Sequence, residues 1–76
     1  MKLNINGREV IITVKGEDRK STELLTEAFI CQMSSAFYAE ADLMNKLGCN
    51  NSSTISERTA RALYDALDAK GYYKDL

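Results

Sequence analysis

The sequence has no histidine, no proline and no tryptophan, and only two cysteines among its 76 residues. Without imidazole there is no Ser-His or Cys-His nucleophile pair, no histidine ligand for a metal, and no access to the commonest general base. Cys31 and Cys49 alone cannot complete a tetrahedral zinc site. The first residues alternate in polarity and lack the apolar run of a signal peptide, so the chain reads as cytoplasmic, with reduced thiols acting as small apolar side chains. The sharper reading of the two thiols is a redox-sensitive pair. No apolar run approaches the roughly 18 residues of a membrane span, so no membrane association is expected. A net charge of −1 gives no overall attraction for nucleic acid, although a local basic face is compatible with it.

What is present is 45% hydrophobic and 28% charged residues, the profile of a globular domain. The length allows one domain, residues 1–76, with one small core. Such a chain buries only about 60% of the surface it exposes when unfolded, so it needs tight packing, a staple or a partner subunit.

The clearest local signal is Asn6-Gly7, flanked by Leu3-Asn4-Ile5 and by Val10 to Val14. Both residues of a type I′ turn need positive φ, which Asn and Gly tolerate best, so residues 2–14 are predicted to form a hairpin. Ile5 then faces Arg8, Leu3 faces Val10 and Met1 faces Ile12. That register gathers Met1, Leu3, Ile5, Val10, Ile12 and Val14 on one side, with Lys2, Asn4, Glu9 and Thr13 on the other. Ile11 falls on the polar side and becomes an interface candidate, weighed against an isolated exposed apolar residue.

Beyond a charged connection from Lys15 to Lys20 the period changes to about 3.6, with Ser21 or Thr22 as the cap of a helix over 22–47. Leu25, Phe29, Met33, Phe37, Ala41 and Met44 form its stripe, widened by Leu24, Ala28, Cys31 and Tyr38; Phe29, Met33 and Phe37 read as core. An unbroken helix of that length would run about 39 Å, against a radius of gyration of about 11 Å for a compact domain of this size. Either the helix breaks near Ser34-Ser35 or over 39–42, or it projects and packs in an oligomer. A break or bend near 39–42 is the favoured expectation, with Asp42 capping a short second piece and Gly48 ending it.

Residues 49–53 read as a turn by composition. Thr54-Ile55-Ser56-Glu57 fits a capping box, predicting a helix over 55–70 whose buried stripe is Ile55, Thr59, Ala62, Leu63, Ala66 and Leu67. Gly71 ends it, with Tyr72 placed to contact Leu67, and the tail from Tyr72 to Leu76 lies along the core. The fold class is α+β: a two-stranded antiparallel hairpin packed on two helices, or three if the first breaks, in ββαα order.

No catalytic, cofactor-binding or metal-ligating residue stands out. Glu23 with Glu27, and Arg61 with Asp65, share helix faces, but such surface spacings serve solvation far more often than acid-base chemistry. Leu43-Met44-Asn45-Lys46-Leu47-Gly48-Cys49, followed by Ser53 to Arg61, Leu63 to Leu67 and Lys70-Gly71-Tyr72, resembles the helix-turn-helix core of winged-helix DNA-binding proteins. The resemblance implies a recognition helix presenting Ser56, Arg58, Thr59 and Arg61 to the major groove. Against it, residues 54–76 carry no net charge, whereas residues 1–20 carry +2 and residues 21–53 carry −3. Arg58 and Arg61 also suit a solvated face stitched from Glu57 through Arg61 to Asp65.

The competing reading is a protein-interaction module. Free hairpin edges, Ile11 on the outer face, excess apolar width on the first helix, and Tyr64, Tyr72 and Tyr73 near one end are the materials of an interface. The sequence therefore points to a small non-enzymatic regulator or inhibitor that binds another macromolecule, a protein in preference to DNA, with self-association in prospect and neither cofactor nor small-molecule substrate. Its size and modest charge suit the accessory proteins that phages and other mobile elements encode.

Overall fold

Asn6 and Gly7 adopt φ of 53° and 83°, the paired positive values of a type I′ turn, and join β1 (Lys2–Ile5) to β2 (Arg8–Ile11). The computed structural model describes residues 1–74; Asp75 and Leu76 of the expected tail lie outside the described residues. The strands pair antiparallel as Lys2 with Ile11, Leu3 with Val10, Asn4 with Glu9 and Ile5 with Arg8, which is the predicted register. Ile12 continues it by donating to the Met1 carbonyl at 2.9 Å. Leu3 is buried, while Lys2, Asn4 and Glu9 face water and Lys2 pairs with Glu9 at 3.4 Å.

Two helices follow, α1 (Arg19–Lys46) and α2 (Asn50–Ala69), completing a ββαα α+β fold. Asp18, not Ser21 or Thr22, is the cap of α1. Its carboxylate accepts from the Ser21 backbone N–H at 2.7 Å, which holds the carboxyl below its ordinary titration range. Thr22 instead uses its hydroxyl to accept from the Gly16 N–H at 2.8 Å, and Thr26 accepts from the Val14 N–H at 2.9 Å. These bonds tie the segment after the hairpin along the start of α1.

The break expected near 39–42 does not occur; α1 runs unbroken for 28 residues. Nothing in its interior interrupts the hydrogen-bond ladder, since it contains neither glycine nor proline. The polar residues that suggested a break are used otherwise. Ser34 donates to the Ala60 carbonyl of α2 at 2.9 Å, and Asp42 pairs with Lys46 one turn on at 3.1 Å. The molecule is accordingly elongated, 44 × 27 × 21 Å with a radius of gyration of 13.5 Å.

Residues 50–53 are also not a turn but the opening of α2. Gly48 and Cys49 donate to the carbonyls of Asn45 and Met44 in a Schellman arrangement, and the Cys49 carbonyl then accepts from Ser53. Only Leu47, Gly48 and Cys49 separate the helices, so they form a tight antiparallel hairpin. The capping box at Thr54 does not form; the Thr54 hydroxyl donates to the Asn50 carbonyl within the first turn of α2. At the other end the expected Schellman motif is present, Gly71 donating to Asp68 and Tyr72 to Leu67.

The seam between the helices is built from Thr26, Ile30, Ser34 and Ala41 on α1 and Ser56, Ala60, Leu63 and Leu67 on α2, all buried. Small residues let the axes approach, and serine hydroxyls satisfy carbonyls across the gap, Ser34 to Ala60 and Ser53 to Ala41 at 2.8 Å. Leu3 closes the core over Ile30, Leu63 and Leu67, with Met33, Phe37, Tyr72 and Tyr73 partly buried around it.

Candidate interaction surface

Because the buried seam of α1 passes through Ile30 and Ser34, Leu25 and Phe29 of the expected stripe lie outside it, whereas Met33 and Phe37 pack partly against the core. Leu25, Phe29, Leu43 and Leu47 are 46%, 44%, 51% and 65% exposed. At 100° per residue they fall within a narrow arc on the side of α1 turned away from α2, with exposed Ala36 between them. Phe29, read as core from the sequence, is therefore a surface residue. Ile55 is displaced likewise: it is 62% exposed because the seam of α2 runs through Ser56 and Ala60 instead.

At the N-terminal end of this apolar strip, Leu24 and Leu25 form one wall of an open groove of about 640 Å³, and Lys15, Gly16 and Glu17 line its other side. Gly16 is required for that geometry, since a Cβ there would lie 2.7 Å from the Ser21 Cβ and 2.9 Å from the Thr22 nitrogen. The loop thus hugs the first turn of α1 and leaves the leucines uncovered.

The other candidates divide. Ile11 is 71% exposed on the outer face of the hairpin. Tyr64, Tyr72 and Tyr73 do come together: Tyr64 stacks on Tyr73 with ring centroids 4.6 Å apart, and Tyr72 meets Tyr73 edge-on at 5.1 Å. Tyr64 is exposed, while the other two pack partly into the core, where the Tyr73 hydroxyl donates to the Cys31 sulfur at 3.7 Å. Burial first, then the Cys31 contact, raises the Tyr73 phenol above its ordinary value, and burial raises that of Tyr72. The end-on aromatic cluster is thus half structural and half available.

The four residues assigned to a DNA groove are not presented together. Ser56 is buried against α1, which removes it from any base edge. Thr59 is half-buried, its hydroxyl donating to the Ile55 carbonyl and accepting from the Asn6 amide at 3.4 Å. Arg58 and Arg61 remain exposed beside Glu57 and Thr54 around a shallow hollow of about 190 Å³. Among the described residues the ion pairs are Lys2 with Glu9, Lys46 with Asp42 and Lys70 with Glu23, so the expected Glu57–Arg61–Asp65 ladder does not form.

Among the described residues no cluster of histidine, cysteine, aspartate and glutamate is arranged to hold a metal, and no helix is long and apolar enough to cross a membrane. The thiols of Cys31 and Cys49 are both free, one half-buried and one exposed. No protein-family model matches the chain, and no curated protein or solved structure matches it significantly. The surface chemistry is therefore the ground for a functional reading.

Proposed function

We propose that this chain is a small non-enzymatic regulator or inhibitor that acts by binding a protein. The observation that carries this is the balance of apolar side chains: Leu24, Leu25, Phe29, Leu43, Leu47, Ile55 and Ile11 stand exposed, whereas the large side chains fully withdrawn from water are Ile30, Leu63 and Leu67. Scattered exposed leucines are ordinary, but Leu25 and Phe29 aligned with Leu43 and Leu47 on one helix face, with small Ala36 between the two pairs, form the kind of apolar face by which helices recognise other proteins. The tyrosine cluster adds a second surface of the composition enriched at interfaces.

Affinity for duplex DNA would need a run of exposed cations facing the phosphates, and α2 offers Arg58 and Arg61 interleaved with Glu57 and Asp65. The test is capture of the tagged chain with its partner from host extract, with and without nuclease. A protein partner retained after nuclease and lost on Phe29→Glu supports the reading. Binding to duplex DNA that weakens steeply with salt and is abolished by Arg58→Ala with Arg61→Ala overturns it in favour of a DNA-binding regulator.

A further inference from the structure

We infer that the outer face of α1 pairs with the same face of a second copy of this chain, the two helices running antiparallel about a two-fold axis at Ala36. The inference rests on the reading of the exposed apolar surface as protein-binding, and it names the partner. Leu25, Phe29, Gln32, Ala36, Ala39 and Leu43 follow one another at alternate spacings of four and three, a heptad seam distinct from the one that faces α2.

A surface that binds its own copy through a two-fold must match its own reversal. This one does. Counted outward from Ala36 in both directions, Leu25 meets Leu47, Phe29 meets Leu43, Gln32 meets Glu40 and half-buried Met33 meets Ala39, while Ala36 meets itself. The ends are large and apolar, and the middle, with Ser35, Ala36 and Ala39, is small enough for the helices to touch.

Shape and charge agree. Leu47 is the most exposed leucine of the strip at 65%, and the residue that faces it is Leu25, which lines the groove beside Gly16. Each chain thus offers an exposed leucine at one end of the strip and a leucine-walled groove at the other. Elsewhere on α1, Glu23 pairs with Lys70 and Asp42 with Lys46, and Glu27 is half-buried on another side of the helix. Glu40 is the carboxylate on the strip itself, and it faces the amide of Gln32; the two copies of Glu40 would lie about 12 Å apart along the axis, beyond a Debye length. The strip is about 33 Å long and about 10 Å wide. Two such faces cover about 660 Å² in total, below the roughly 1,000 Å² that a tight specific interface clears, so the pairing belongs to the weak, concentration-dependent class.

Light scattering tests the pairing, and cysteine substitutions in a Cys49→Ser background test its register. At about 100 µM, where a Kd of about 10 µM leaves most chains paired, the expected mass is that of two chains. Phe29→Glu should reduce it to one chain with an unchanged circular dichroism spectrum. Ala36→Cys should oxidise to a linked dimer, because Cβ atoms across the axis fall within disulfide range. Phe29→Cys and Leu43→Cys should link to each other when mixed and neither to itself. A one-chain mass for the unmodified protein, a dimer indifferent to Phe29→Glu, or self-linking of Phe29→Cys overturns the inference. If the protein is monomeric and Phe29→Glu still loses a captured partner, self-pairing fails while the protein-binding reading stands.

Discussion

Ser34 and Ala60 set how closely the two helices approach, and they also explain which core residues the sequence concealed. Ile30 is fully buried between Thr26 and Ser34. Its neighbours one turn away are polar, so a search for hydrophobic spacing passes over it and selects Leu25 and Phe29. The polar residues belong in the seam because each hydroxyl has a partner, Thr26 with the backbone of Val14 and Ser34 with Ala60. No buried side-chain polar atom among the described residues lacks one. Ala60→Leu should lower unfolding free energy by about 1–3 kcal/mol in urea denaturation, through overpacking at a site with no exposed surface. Ser34→Ala should cost about 1 kcal/mol through loss of the one hydrogen bond that crosses to the Ala60 carbonyl, which keeps its acceptor role within α2. At the same scale, Tyr73 has a folded-state pKa raised above the ordinary 10.0. Its neutral form is the one the fold prefers, so that contribution is full below pH 10 and is lost as pH rises through the folded value. Alkaline titration of tyrosinate absorbance should show late ionisation whose amplitude falls in Tyr73→Phe, with Tyr72 keeping a late component of its own.

Among the elements, the turn and register of the hairpin were legible, because a two-residue Asn-Gly turn fixes both the turn type and the pairing that follows from it; its end was not, since β2 stops at Ile11 and Val14 bonds Thr26 of α1 instead. The helix boundaries were less so. Asn50 to Ser53 look like a turn by composition, yet once Gly48 reverses the chain their amides continue directly into α2, and the Ser53 hydroxyl finds the Ala41 carbonyl. Composition describes what residues tolerate locally, and the packing of α2 on α1 outweighed it. The start of α1 depends on Asp18, whose lowered pKa comes chiefly from the Ser21 N–H. A depressed carboxylate contributes stability that is complete above its ordinary value of 3.8 and lost as pH falls through the folded one. Asp18→Asn should keep the cap and flatten that part of the acid unfolding curve, whereas Asp18→Ala should lower Tm by several degrees at neutral pH. Gly16→Ala should be destabilising as well, because the neighbours of its new Cβ include backbone atoms of α1. Thermal unfolding of the three variants checks both expectations.

For the molecule as a whole, the sequence posed a choice between a broken helix in a compact domain and an unbroken one that projects. The unbroken form holds, and a radius of gyration of 13.5 Å replaces the roughly 11 Å of a compact chain of this length. The surface that α1 exposes as a result was legible only as excess apolar width between Leu24 and Leu47. Its position emerged once Ile30, not Phe29, proved to face the core. The DNA-contact set was least legible, since the burial of Ser56 follows from the helix crossing and not from any local signal. The most direct measurement is a dilution series of backbone amide chemical shifts on the unmodified protein. Shifts at Leu25, Phe29, Ala36, Leu43 and Leu47 should move together with concentration, while those at Arg58, Arg61 and Ile11 stay fixed. Shifts that do not change with concentration, or that change at the arginines of α2 and not along α1, would contradict self-pairing through this face.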